Sequence, residues 1–213
     1  MALLSDNMSF REANSTRLLM PAFQTLYDRY SEPWRAYHSH QHIIELVNHV
    51  RAAENDGVKV HDGAAALAFI LWHDAIYDPQ ATHGRNETLS AQLCAKQFAS
   101  TGQAVSVKRA CAAILATIKH ETPSFEESPD APLLLDCDLA ILGADPARFG
   151  VYDKHIRIEY AHVPEETYQT KRREVLAGFL DRDRIYLTDW AHERWDTQAR
   201  KNLAAAIKAS VSS

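Results

Sequence analysis

The sequence predicts an all-α protein, and three observations carry that prediction. Apolar residues recur at the i, i+3, i+4 spacing of a helix in segment after segment. Only 7 glycines occur in 213 residues, too few for a loop-rich or all-β chain. Helix-start signatures, a small polar residue before a proline or an apolar run, punctuate the chain. Hydrophobic residues make up 46% of the sequence, enough for a real core. No repeat, low-complexity linker or charge block marks a boundary, so one domain over 1–213 is expected, with its core at about 31–203.

The elements follow in order. Leu18, Leu19, Phe23, Leu26, Tyr27 and Tyr30 stand at helical spacing over 15–30. Ser31 reads as the cap of a second helix, with Pro33 in its first turn, running through Ile44, Val47 and Val50. Asp62 caps a third, whose Ala64, Ala65, Leu67, Ala68, Leu71 and Trp72 form an apolar run. A loop at 78–85 holds Pro79 and Gly84; helices at about 86–100 and 105–119 follow. The stretch 120–132 is polar, and 133–142 is short, apolar and stopped by Gly143. Asp145-Pro146 opens a helix to about 161, and two more span 164–180 and 188–209. Ile185-Tyr186-Leu187 supplies a few extended residues, not a sheet.

Composition narrows the functional classes. No run approaches the roughly 18 uninterrupted apolar residues that span a bilayer. The opening MALLSDNMSFRE lacks the basic and apolar regions of a signal peptide, so a soluble, cytoplasmic protein with no membrane partner is expected. Cys94, Cys111 and Cys137 are odd in number and widely spaced, which predicts buried, reduced thiols. A net charge of −5 gives no footprint for a nucleic-acid polymer, while leaving room for a small anionic substrate. Trp190 and Trp195 either pack in the core or support a homodimer.

Four pieces carry candidate chemistry. FILWHDAIYDP sets His73 and Asp74 at the end of an apolar helix, where a metal cation would satisfy both. YHSHQHI places His38 and His42 at i, i+4 on a predicted helix, with His40 facing solvent. LLLDCDLAILG interrupts an apolar segment with Asp136 and Asp138, of which at least one should cap a turn or meet water. IKHET ends an amphipathic helix with Lys119 and His120. Nitrogen and oxygen donors in this ratio suit a borderline or hard divalent metal, and no Cys-x-x-Cys is present for structural zinc.

The order of these pieces resembles the HD-domain superfamily of metal-dependent phosphohydrolases, whose pattern is a His, an adjacent His-Asp and a distal Asp. More narrowly, RAYHSHQHI, WHDAIYDP with RNETLSA, LLDCDLAILG, IRIEY and REVLAGFLDRDRIY resemble a bacterial group of predicted HD phosphohydrolases. The likeness spans about 31–203 and implies an HD-domain-like helical bundle. It implies a divalent metal ion (Mn, Mg, Ni, Zn or Fe) held by His42, His73, Asp74 and Asp138, with His38 and Asp136 as alternatives. Asp74 would also serve catalysis, and Glu87 would orient water or accept its proton. The implied substrate is a small phosphorylated molecule, a nucleotide being one candidate, met by His38, Arg85, Lys119, His120 and Arg157. Two other readings keep the same scaffold. A di-iron oxygenase would need histidines between the His-Asp pair and the distal Asp, where only His83 and His120 stand. A binding or regulatory module would keep the site without turnover.

Overall fold

Helices account for all regular secondary structure among the residues that the computed structural model describes, 20–99 and 103–209. The chain divides into two compact units, Met1–Leu135 and Asp136–Ser213. The first contains α1 (Met20–Tyr30), α2 (His40–Asn55), α3 (Gly63–Trp72), α4 (Arg85–Phe98) and α5 (Ala104–Ala116); the division falls inside α6 (Ala131–Asp138). The second continues with a 3-10 turn (Leu139–Gly143), α7 (Pro146–Glu159) and α8 (Glu165–Leu180). It closes with α9 (Asp189–Ala191), a π-type turn (His192–Asp196) and α10 (Thr197–Ala209). None of the described helices is long and apolar enough to cross a membrane.

In the first unit α3 is the central rod, packed by α2, α4 and α5. Of its residues only Leu71 escapes full burial. A helix that is apolar all round has no solvent face to offer, so it goes inside. Its N-terminus is closed by Asp62, whose side chain accepts from Ala65 N at 2.9 Å. His73 follows its last turn, as the apolar run predicts.

The second predicted helix begins late. Residues 31–39 are turns and bends, and α2 starts only at His40. Pro33 disfavours helical backbone at Glu32. Distant acceptors then hold the segment in its turns: Trp34 Nε1 donates to Tyr77 O at 3.0 Å, and Arg35 bonds the chain after α3. Ser31 therefore caps no helix; its hydroxyl lies 2.9 Å from His40 Nε2. His40 is half-buried beside the Tyr27 and Tyr30 rings rather than facing solvent.

In the second unit α10 packs along α8 and against the 3-10 turn. Asp145 caps α7, accepting from Ala147 N and Arg148 N at 3.0 and 3.1 Å. Gly143 stops the apolar segment as predicted, and its reason is packing, because a Cβ there would come within 2.5 Å of Trp195 Cβ. Trp195 is buried, with the half-buried Trp190 ring 5.1 Å away. The predicted helix over 188–209 is broken by the π-type turn. There Asp196 turns inward to accept from Ile185 N and Arg200 Nε, at 3.1 and 2.7 Å. Cys94 and Cys137 are buried free thiols, while Cys111, expected inside, is half-buried.

Candidate metal centre

His42 and His73 come from two helices of the first unit, and their side chains meet. Burial holds each ring with about 2% of its surface exposed. The two Nε2 atoms lie 3.0 Å apart. Asp74 Oδ2 stands 3.1 Å from His73 Nε2 and 3.7 Å from His42 Nε2. Phe69 stacks on the His73 ring at 5.1 Å, and Tyr37 lies 5.0 Å from the His42 ring. Both imidazoles are thus fixed in orientation by aromatic neighbours.

His73 also has an assignable proton. Its Nδ1 lies 3.1 Å from Ile70 O, an oxygen that can only accept. Donation to Ile70 O puts a proton on Nδ1, and in the neutral ring this leaves the Nε2 lone pair facing His42 and Asp74. The spacing fits a metal ion. Two nitrogens each about 2.1 Å from one cation stand about 3.0 Å apart at a right angle and about 3.4 Å apart at the tetrahedral angle. Two imidazole nitrogens and a carboxylate oxygen are also the donor types that divalent transition metals take.

The chain that carries Asp74 is fastened almost atom by atom. Buried Arg35 donates from Nη1 to Asp74 O at 2.8 Å and from Nη2 to Ala75 O at 3.3 Å. The same Nη1 reaches His38 O at 3.0 Å, while Nε pairs with Glu32 at 2.9 Å. Its guanidinium lies over the Tyr30 and Tyr77 rings. From α4, Ser90 Oγ accepts from Ile76 N at 3.0 Å, and Asn86 bonds both N and O of Asp78. Side chains of the 31–39 segment and of α4 thus hold the backbone of 74–78, the kind of support that a rigid site requires.

Arg35, Ser90 and Asn86 are absent from the candidate set read from the sequence. Asn86 and Ser90 lie one turn apart in RNETLSA, so their shared face was a readable signal. Arg35 gave a weaker one, a cation inside the aromatic-rich segment YSEPWRAYH.

The remaining sequence candidates occupy varied settings. His38 lies before α2, not on it, so it shares no helix face with His42; its half-buried ring packs 4.3 Å from Tyr77. Arg85 opens α4 exposed, and Glu87 stands half-buried in that helix's first turn. Lys119 is exposed after α5. His120 is half-buried and takes a left-handed backbone with φ 51°.

In the second unit, Asp136 is buried and its oxygens are engaged. They accept from Leu187 N at 2.7 Å, and from Thr188 N and Oγ1 at 2.7 and 2.6 Å. Burial pushes its pKa up to about 6, against the pull of the bonds from Thr188 and Leu187. Of the two aspartates it is the one that ties a turn. Asp138 ends α6 and is half-buried. Arg157 pairs with Glu165 at 2.7 Å and donates to Tyr160 O and Val163 O, closing the C-terminal end of α7.

At the N-terminal end of α3, His61-Asp62 forms a structural node. Arg109 Nη1 meets Asp62 Oδ2 at 2.8 Å, and Asp130 accepts from both His61 N and Asp62 N at 2.8 Å. No family model, curated protein or solved structure matches the chain.

Proposed function

We propose that the protein is a metal-dependent phosphohydrolase acting on a small phosphorylated molecule. The observation that carries this reading is the approach of His42 Nε2, His73 Nε2 and Asp74 Oδ2 to within 3.0–3.7 Å of one another. It is supported by the order of sequence motifs that resembles HD phosphohydrolases. Asp138 enters as a further ligand on that motif order. The setting is the cytoplasm.

On this reading His42, His73, Asp74 and Asp138 hold a divalent ion. When bound, the ion acts as a Lewis acid that acidifies water and offsets charge on the phosphoryl oxygens. The chain's own residues have separate tasks. His73 keeps its proton on Nδ1 through Ile70 O and so presents a lone pair at Nε2. Asp74 brings negative charge against the two imidazoles. Arg35 prevents the Asp74 backbone from drifting. Glu87 takes the proton of the attacking water. Arg85, Lys119, His120 and His38 supply positive charge or donors for the phosphate. Arg157 pairs with Glu165 and two carbonyls at the end of α7, in the second unit, and is given no task in this centre.

The test is a screen of the full chain against phosphomonoesters and phosphodiesters with Mn, Mg, Ni, Zn and Fe supplied singly. The expected result is phosphate release that chelation abolishes, metal restores, and His73→Ala or Asp74→Ala eliminates in folded protein. Undiminished turnover in those variants overturns the centre. Two irons per chain without phosphate release would favour the oxygenase instead.

A further inference from the structure

We infer that the second unit carries an anion-binding site of its own, between α7 and α8, suited to a phosphate group bearing a small organic substituent. A cavity of about 210 Å³ opens there. Lys154, Arg157, Arg172 and Arg173 line it, against the single carboxylate of Asp153. The whole chain has a net charge of −5, so this concentration of positive charge runs against the protein's average. A cleft lined mostly by one sign of charge raises the local concentration of the opposite ion.

The four cations are not equivalent. Arg172 is held by Asp153, Nε to Oδ1 at 3.0 Å, and its guanidinium lies 5.0 Å from the Tyr152 ring centre. Arg157 is held by Glu165 and by two carbonyls, and it lies 4.6 Å from the Tyr168 ring centre. Both are therefore set in place before any ligand arrives. Lys154 and Arg173 make no ion pair among the described residues and can turn towards an anion. Two fixed guanidinium groups with two adjustable cations form a receptor for an oxyanion.

Tyr168 supplies the second, independent observation. It is 7% exposed and lines the same cavity, yet its buried hydroxyl has no hydrogen-bond partner among the described residues. A buried phenol without a partner is costly, and an acceptor oxygen in the cavity would remove that cost. Burial pushes the Tyr168 pKa up to about 12, so the group remains a donor at neutral pH. A cavity of roughly 150 Å³ takes a benzene-sized molecule. The space here therefore accepts a phosphate with a short organic arm.

The site does not depend on the metal-centre reading. The experiment is isothermal titration of inorganic phosphate and glycerol phosphate into the full chain with EDTA present, so that metal-mediated binding is absent. Saturable binding is expected, tighter for the ester. Lys154→Ala with Arg173→Ala should weaken it about tenfold or more, and Tyr168→Phe severalfold. His73→Ala should leave it unchanged. Lys154 and Arg173 sustain no structural pair, so the double variant keeps its fold, checked by circular dichroism; Tyr168→Phe removes a single oxygen and reports separately. No saturable binding by folded protein, equal affinity in the double variant and in Tyr168→Phe, or loss only on His73→Ala would each overturn the site.

Discussion

Helix α3 begins after His61-Asp62 and runs into His73-Asp74, so one ten-residue helix carries the same dipeptide at both ends. At the N-terminal end both carboxylates are matched. Asp62 accepts from Ala65 N and pairs with Arg109, and Asp130 takes the N–H groups of His61 and Asp62. The carboxylate there complements the positive end of the helix and neutralises an arginine. At the C-terminal end the side chains face a second imidazole, Ile70 O holds His73 Nδ1, and the backbone is tied down by Arg35, Ser90 and Asn86. The difference separates a structural pair from a candidate ligand pair. A His-Asp pair whose carboxylate is consumed by amides and a guanidinium is architecture. One whose backbone is anchored while its ligand atoms converge is equipped to hold something.

The sharpest break between the two ends is His73→Ala. If the proposed metal centre is real, removing one of its two facing nitrogens should lower metal-dependent phosphate release at least 100-fold. Metal content measured on the same folded preparation should fall with it. If metal content and turnover both persist, the C-terminal end is as structural as the N-terminal one, and the comparison fails.

Arg35→Ala tests whether anchoring matters apart from ligation. The variant loses bonds to three carbonyls and leaves Asp74 and Ala75 without their donor. Groups that orient ligands typically cost 10–100-fold in metal affinity when removed. A loss in that range is expected, read by competition against a chromogenic chelator. Arg35→Lys should not restore it, because an ammonium lacks the planar fork that meets several carbonyls at once. Wild-type affinity in Arg35→Lys would show that charge alone suffices.

Much of this contrast was legible in the sequence, and the limits have physical causes. Asp62 and Asp145 could be read as caps because a cap bonds amides two or three residues away. His73 could be placed at a helix end because the apolar run preceding it is local information. Its encounter with His42, by contrast, spans 31 residues of sequence, and only the resemblance to a known motif order suggested it. The turns of 31–39 escape a local reading for the same reason. Ser31 and Pro33 carry a good local helix-start signal, but Trp34 and Arg35 find their acceptors around 40 residues away. The π-type turn at His192–Asp196 was equally hidden, since the inward turn of Asp196 serves Ile185 and Arg200, outside its own turn.

Asp62→Ala should produce the opposite phenotype to His73→Ala. It removes a helix cap and strands the partly buried guanidinium of Arg109. A stability loss of about 2–4 kcal/mol is expected from urea unfolding. Turnover per folded molecule should stay within about twofold of wild type, since only stability is lost and the ligand atoms keep their places. A collapse in turnover with unchanged stability would reverse the roles of the two ends.

The smallest effect is a pH dependence at the structural end. Burial, the largest influence, raises the Asp130 pKa above the ordinary carboxylate value of 3.8, outweighing the lowering pull of the His61 and Asp62 amides. The folded state thus holds this proton more tightly than the unfolded chain does. The resulting stabilisation is complete below the unfolded value and is lost as pH rises through the folded one. Asp130→Asn cannot titrate, so the stability of wild type minus that of the variant should decrease as pH is raised from below 4 towards neutrality. Thermal melts of both proteins across that range measure it. A difference that grows with pH would mean the two amide bonds outweigh burial, making Asp130 a stronger brace for the N-terminal end of α3 than its buried position implies.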